Sequence, residues 1–181
     1  MIKVLVEFCV DADIIECPDW IVKDLGLYQT RFREWLSDEN NDHSYWCYKN
    51  GKKVGSSFRS DAFVEWLNKF VLYNQSEKSK VLEECVSSET GNVCRVVYPT
   101  YINDRVESLR DDFMTWMEEE DEQGNIRLDI YTKVYGGGRR SSYSIMDWMN
   151  QFVLNESEDK AFVIDKQVDI EEIKNMPVIY F

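Results

Sequence analysis

The chain has 181 residues, of which 44% are hydrophobic and 14% aromatic, so it can bury a substantial core, which argues against a globally disordered protein. Its formal net charge of -13 at pH 7 disfavours nucleic acid and anionic membranes as direct partners, because both repel an acidic surface. An odd number of cysteines, no signal-peptide pattern at the start and no apolar run of membrane-span length favour a cytoplasmic location.

Signals for strands and helices alternate along the first half of the chain. Runs of β-branched and aromatic residues predict strands, apolar residues at helical spacing predict helices, and the dipeptide Asn50-Gly51 predicts a hairpin. Phe63, Trp66 and Phe70 are expected on the buried face of the second helix. The expected elements are strands at 2–10 and 14–17, a helix from Pro18 to Leu36, a hairpin over 45–58, a helix from Ser60 or Asp61 that ends before Asn74, and a strand at 80–86.

The second half repeats this order and then adds a C-terminal extension. Its expected elements are a strand at 93–98, a helix at 101–119, a strand at 126–135, a glycine turn at 136–138, a helix from Ser142 or Ser144 to about residue 154, and a strand at 162–165. In the extension, 169–175 predicts one helical turn and 177–181 a final strand. An apolar terminus of this kind needs a sheet to dock on, either this chain's own or the sheet edge of a partner.

The two halves also match residue by residue. The apolar positions of 18–36 recur 81 residues later, and 63–72 recurs as 145–154. Each copy follows the order strand, helix, hairpin, helix, strand, so we expect an α+β fold of two tandem repeats with helices packed on a mostly antiparallel sheet. The first repeat is expected at 1–86 and the second, with its C-terminal extension, at 87–181. The short connection between them predicts a closely packed, pseudo-twofold pair.

The halves differ in charge, and the difference is concentrated in one stretch. Residues 1–81 contain 13 acidic and 11 basic residues, whereas 82–181 contain 21 acidic and 10 basic residues. Helical spacing directs the apolar residues of 111–122 inward and its seven acidic residues outward. These acidic residues either solvate a helix end or bind a basic groove, such as a channel in which another protein holds nucleic acid. They are Asp111, Asp112, Glu118, Glu119, Glu120, Asp121 and Glu122.

A second candidate site precedes the last long helix. A glycine run leading into a helix N-terminus can cradle a phosphate, although the Gly-Lys-Ser/Thr ending of a Walker A loop is missing here. The first copy carries a basic turn, 51–57, at the same place. The segment is either an anion or partner contact or a hairpin with ordinary solvating charges. Its candidate contacts are Gly136, Gly137, Gly138, Arg139 and Arg140.

Catalytic and metal-binding patterns are missing from the sequence. His43 is the only histidine, and nothing near it marks a nucleophile or an orienting group, so we interpret it as an exposed loop residue. No CxxC pair and no calcium-loop spacing occurs. We therefore expect no enzymatic activity, no metal site and no cofactor.

A small, acidic, aromatic-rich α+β chain without a catalytic motif resembles the inhibitor proteins carried by phages and mobile elements, chiefly anti-CRISPR and anti-restriction proteins. The resemblance rests on the acidic stretch 111–122, the net charge and the size. It implies a protein that binds a nuclease complex and blocks it sterically or by charge mimicry.

The leading hypothesis is therefore a non-enzymatic inhibitor of a basic protein or ribonucleoprotein, for example a CRISPR nuclease–guide complex. Residues 118–122 would make the contact, supported by Asp111 and Asp112, with no direct binding of nucleic acid or membrane. One alternative is an assembly protein that oligomerises through strand edges and the apolar C-terminus. Another is a phosphate-ligand binder that uses the loop 136–142. The target, the stoichiometry and the oligomeric state stay open at this point.

Overall fold

A computed structural model describes residues 1–9, 11–128 and 142–181. The described residues form an α+β fold whose strand pairings are mostly antiparallel, which confirms the predicted fold class. None of the helices among these residues combines the length and the hydropathy that a membrane-spanning helix requires. The chain divides into two units: unit 1 comprises Met1–Val93 and Gln167–Phe181, and unit 2 comprises Cys94–Lys166.

The strands are β1 (Ile2–Glu7), β2 (Ala12–Cys17), β3 (Trp46–Lys49), β4 (Lys52–Ser56), β5 (Lys80–Val86), β6 (Asn92–Val97), β7 (Phe162–Gln167) and β8 (Val178–Tyr180). The α-helices are α1 (Asp19–Lys23), α2 (Leu25–Ser37), α3 (Ser60–Trp66), α4 (Val106–Glu118), α5 (Ser142–Trp148) and α6 (Ile170–Lys174). A 3₁₀ segment, Thr100–Arg105, leads into α4, and π-helical turns at Leu67–Val71 and Met149–Val153 continue α3 and α5.

The sheet of unit 1 has the strand order β5-β2-β1-β8. β1 and β2 pair antiparallel, beginning with Ile2 opposite Cys17. β5 pairs antiparallel with β2 through two register shifts, and β6 pairs with β5 at Val86 opposite Val93. β3 and β4 form a separate hairpin, and its turn residues Asn50-Gly51 have φ values of 53° and 73°, as the predicted two-residue turn requires.

The single helix expected over 18–36 is split into α1 and α2. The break lies at Asp24, whose N–H donates to the carbonyl of Ile21 at 3.2 Å and whose own carbonyl accepts from the N–H of Leu27 at 2.9 Å. Gly26, just inside α2, lowers the helix propensity at this point. The apolar face of α2 is nevertheless buried as predicted. Its buried residues are Leu25, Tyr28, Phe32 and Leu36.

Phe32 lies at the centre of an aromatic cluster in the core of unit 1. Its ring makes edge-to-face contacts with Phe58, Phe63, Trp66 and Phe181 at centroid distances of 5.3 to 5.8 Å. Each such pair stabilises a fold by about 0.5–1.5 kcal/mol beyond the burial of its area. Phe181, which is half-buried, thus packs against the core of unit 1.

The C-terminal segment docks on this chain's own sheet. β8 pairs parallel with β1, with Leu5 opposite Val178. The carbonyl of Tyr180 accepts hydrogen bonds from α2, from the guanidinium of Arg33 at 2.6 Å and from the amide of Gln29. The final strand is confirmed. Because it pairs with β1, it belongs to unit 1, whereas the division expected from the sequence counted it with the second half.

Unit 2 contains α4, α5 and most of β6 and β7, which are neighbouring strands. The long strand expected from residue 126 does not begin as predicted: Ile126 forms an isolated bridge with Glu120, and 127–128 are helical. The remainder of that predicted strand, from residue 129, lies outside the described residues. Among the described residues of unit 2, the buried core includes Ile102, Phe113, Trp116, Met117, Trp148, Met149, Leu154 and Ala161.

The two units share one detailed local structure, where the second helix of each copy ends. In both, the π-helical turn places an asparagine opposite the residue just before the next strand. Asn68 in unit 1 and Asn150 in unit 2 each donate to that residue's carbonyl, at 2.9 and 2.8 Å, and accept its N–H, at 2.9 and 2.7 Å. Residues that match in sequence therefore make matching hydrogen bonds. The repeat of whole units and their pseudo-twofold relation remain predictions.

Candidate protein-interaction site

The acidic stretch lies at the C-terminal end of α4 and in the turn that follows. Four of its carboxylates, which we name the acidic edge, are exposed: Glu118, Glu119, Glu120 and Glu122. Asp112 is also exposed, one helical turn or more before them. The side chain of Asp111 lies outside the described part of the structure. The exposure of these groups agrees with the outward direction that helical spacing predicts.

Asp121 has a role in the turn that the sequence pattern did not reveal. Its carboxylate accepts the backbone N–H of Gln123 at 2.9 Å and that of Asn125 at 2.8 Å. The hydrogen bond from the backbone of Asn125 is the main reason that the pKa of Asp121 is lowered, so this carboxylate stays ionised. The turn brings Ile126 back to pair with Glu120. Asp121 therefore fixes the course of the acidic edge.

Arg127 offsets part of the negative charge at the end of α4. Its guanidinium donates to the carbonyl of Trp116 at 3.2 Å and to the carboxylate of Glu119 at 3.3 Å. It also lies 5.1 Å from the centroid of the Trp116 ring. A cation at a helix C-terminus interacts favourably with the helix dipole, which reduces the cost of placing carboxylates there.

An aromatic cleft of about 380 Å³ lies beside the acidic edge, within unit 2. Trp116 and Trp148 form its nearly buried part, and the ring of Phe152 is 52% exposed. Two carboxylates, Asp112 and Glu119, lie on its lining. The cleft thus combines aromatic surface with negative charge, the two features that attract an organic cation. Its main lining residues are Leu109, Asp112, Trp116, Glu119, Trp148 and Phe152.

The exposure of Phe152 was not predicted, and neither was that of its counterpart Phe70. Phe70 was expected on a buried helix face, yet its side chain is 45% exposed, and Phe152 at the matching position is 52% exposed. Each lies in a π-helical turn, which contains more residues per turn than an α-helix. The side chains of this turn are therefore rotated away from the face that 3.6-residue spacing predicts. Helical spacing of apolar residues gives no signal of this wider turn.

Unit 1 contains a corresponding cleft of about 220 Å³, lined by the matching residues Trp35, Trp66 and Phe70. Here the chain's own side chains lie against the aromatic rings. The His43 ring is 4.8 Å from that of Trp35, and the Lys69 ammonium is 5.2 Å from the centroid of Phe70. His43 is half-buried, which corrects the expectation of an exposed loop residue. The aromatic surface of unit 1 is therefore partly covered from within.

The same cleft also contains a hydrogen-bonded polar pair. The hydroxyl of Tyr45 donates to the carboxylate of Glu65 at 2.5 Å. Burial, followed by this hydrogen bond, raises the pKa of Tyr45, so the hydroxyl remains a donor. The carboxylate of Glu65 is thereby engaged within unit 1.

A buried polar cluster connects β2, α3 and β5 in unit 1. Asp13 is fully buried and accepts hydrogen bonds from the guanidinium of Arg59, the hydroxyl of Ser60 at 2.7 Å and the N–H of Cys85 at 3.0 Å. Burial lowers the pKa of Arg59, but the hydrogen bond and charge of Asp13 outweigh it and raise the pKa. Burial also raises the pKa of Cys85, which favours the protonated form of its thiol.

The glycine-arginine segment, with Gly136, Gly137, Gly138, Arg139 and Arg140, lies outside the described residues. Its first-copy counterpart is the β3–β4 hairpin, whose Lys53 donates to the carbonyls of Glu39 at 2.8 Å and Asn41 at 3.0 Å. The same ammonium lies 4.7 Å from the centroid of Trp46. This basic side chain of the hairpin is thus used for internal contacts.

In the part of the chain that the structure describes, no three histidine, cysteine, aspartate or glutamate side chains are grouped so that they could hold a metal ion. No protein-family model, no curated protein and no solved structure matches the chain. The functional interpretation therefore depends on the chemistry of its own surface.

Proposed function

We propose that the protein is a non-enzymatic inhibitor that binds a basic, nucleic-acid-handling partner through the acidic edge of unit 2. The observation that carries this proposal is the presence of four exposed carboxylates on one short segment, beside an aromatic cleft. The proposed partner is an RNA-guided nuclease complex, because such a complex has a nucleic-acid channel lined with basic groups. The acidic edge would bind in that channel.

Electrostatics of this kind acts mainly on the rate of association. Exposed ion pairs contribute about 0.2–1 kcal/mol each, so four of them together would strengthen binding by roughly fourfold to several hundredfold. Charges at the rim of an interface raise the association rate and make it sensitive to salt. Salt-dependent association is therefore the signature expected of the acidic edge.

The test is inhibition of DNA cleavage by purified single-protein RNA-guided nucleases loaded with guide RNA. In the edge variant, Glu118, Glu119, Glu120 and Glu122 are each replaced by glutamine. In the control variant, four other exposed acidic residues, Glu34, Glu77, Glu156 and Glu158, are replaced in the same way, so that both variants lose the same charge.

We expect the wild type and the control variant to inhibit a susceptible nuclease equally, and the edge variant to need at least about fourfold more protein. The association rate of the wild type should also fall more steeply with salt than that of the edge variant. Equal inhibition by both variants would refute the role of the acidic edge. Failure of the wild type to inhibit any nuclease in the panel would refute the proposed target class.

The assembly function, considered from the sequence as an alternative, receives less support. It relied on an apolar C-terminus that would pair with a partner's sheet edge. β8 instead pairs with β1 of the same chain, and the carbonyl of Tyr180 is engaged by Arg33 and Gln29. The C-terminal segment is thus occupied within unit 1.

A further inference from the structure

The two aromatic clefts differ in what fills them. Three aromatic positions are shared, since Trp35, Trp66 and Phe70 of unit 1 correspond to Trp116, Trp148 and Phe152 of unit 2. In unit 1, Lys69 places its ammonium 5.2 Å from the centroid of Phe70. The residue that corresponds to Lys69 in unit 2 is Gln151, which is uncharged. The ring of Phe152 therefore lacks the cation that its counterpart receives from the neighbouring residue.

The charged residues that line the two clefts also differ. The unit 1 cleft has two carboxylates, Asp42 and Glu65, together with the basic Lys69. Among the described residues that line the unit 2 cleft, the charged ones are the carboxylates Asp112 and Glu119, and Glu119 is already paired with Arg127 at 3.3 Å. An incoming cation would thus meet the exposed carboxylate of Asp112 and an exposed aromatic ring.

Unit 2 itself shows which cation suits this kind of surface. Arg127 lies over the ring of Trp116 at 5.1 Å and donates to Glu119 at 3.3 Å, so a guanidinium already combines an aromatic contact with a carboxylate contact here. A guanidinium is planar and weakly hydrated, so it can stack on an aromatic face and donate hydrogen bonds to a carboxylate at the same time. An ammonium combines these two contacts less well. The volume of about 380 Å³ is in the range of small ligand pockets.

We propose that the unit 2 cleft binds an arginine side chain of the basic partner, with the guanidinium on the ring of Phe152 and hydrogen-bonded to Asp112. This inference rests on the proposed function for the identity of the partner. It deepens that function, because it places one anchoring contact beside the general attraction exerted by the acidic edge.

The test uses the full chain and small probes, so it does not depend on finding the partner. N-acetyl-arginine amide, N-acetyl-lysine amide and N-acetyl-glutamine amide are titrated while the indole N–H signals of Trp116 and Trp148 are followed by NMR. We expect a saturable shift with the arginine probe at concentrations on the order of millimolar, a weaker one with lysine and none with glutamine.

Phe152→Leu and Asp112→Asn should each weaken binding of the arginine probe roughly threefold to tenfold. Phe70→Leu, the matched change in the unit 1 cleft, should leave it unchanged. Both phenylalanines are about half exposed, so these variants are expected to fold, which circular dichroism would verify. No saturable shift, equal binding of the lysine probe, or an equal loss in Phe70→Leu would each overturn the proposal.

The two proposals can fail separately, because the cleft variants leave Glu118, Glu120 and Glu122 intact. If the arginine probe binds but no nuclease is inhibited, the cleft is an arginine site and the proposed function is rejected. If inhibition depends on the acidic edge but the probe does not bind, the proposed function is supported and the arginine site is rejected.

Discussion

Removing the carboxylate of Asp13 is expected to destabilise unit 1 by about 3 kcal/mol. The side chain is fully buried and accepts hydrogen bonds from three residues on two other segments. In Asp13→Ala, the hydroxyl of Ser60 and the N–H of Cys85 lose their acceptor inside the protein. A buried donor left without a partner costs about 1–3 kcal/mol.

Arg59 limits the expected effect. Breaking a buried ion pair by removing one partner costs about 3–5 kcal/mol, because the remaining charge is left uncompensated. The side chain of Arg59, however, is 37% exposed and also contacts Asp11 at 3.2 Å, so water and a second carboxylate retain part of its stabilisation. The expected cost therefore lies at the lower end of that range.

The assay is urea unfolding of the full chain, followed by tryptophan fluorescence and circular dichroism. Asp11→Ala is the matched control, because it removes a carboxylate from the same arginine at a site where the side chain is 24% exposed. We expect the control to cost below about 1 kcal/mol. Similar losses in Asp11→Ala and Asp13→Ala would refute the reasoning, because burial would then not decide the contribution of the carboxylate.

Two further predictions concern unit 1. Phe181→Ala should destabilise unit 1 by about 2–3 kcal/mol in urea titrations, because a partly buried ring is removed from the aromatic cluster. The molar mass measured by light scattering should stay that of the wild type. A change in molar mass would instead favour assembly through the C-terminus. Burial raises the pKa of the Cys17 thiol from 9.0 to about 11, so its contribution to stability is complete below pH 9 and is lost as the pH rises through 11. Between these values the free energy of unfolding should fall by roughly 3 kcal/mol more in the wild type than in Cys17→Ala, and equal slopes would contradict this.

Local patterns predicted what depends on local chemistry. The dipeptide Asn50-Gly51 can place both residues at positive φ, and it forms the predicted hairpin turn. Helical spacing predicted that Phe113 and Trp116 are buried and that the acidic edge is exposed. These features follow from a few neighbouring residues, so the sequence is sufficient to identify them.

Features that join distant segments could not be found in this way. Asp13 and Arg59 are 46 residues apart, and neither lies in a pattern that marks a partner. The docking of β8 on β1 joins the two ends of the chain. The exposure of Phe152 arises from a wider helical turn that leaves the apolar spacing unchanged. Sequence periodicity describes the faces of an element but not the surface that another segment presents to it.

Under the proposed function, the difference between the matching clefts favours unit 2 over unit 1 as the binding surface. The aromatic positions are the same in both, so the shared core accounts for their presence in either unit. What differs is the residue before the ring: Lys69 places its ammonium over Phe70 in unit 1, whereas the residue before Phe152 is the uncharged Gln151. The lysine of this chain and an arginine of a partner would each make a cation–π contact with the phenylalanine at this position. The change of one residue would therefore turn a contact made within the chain into one offered to a partner.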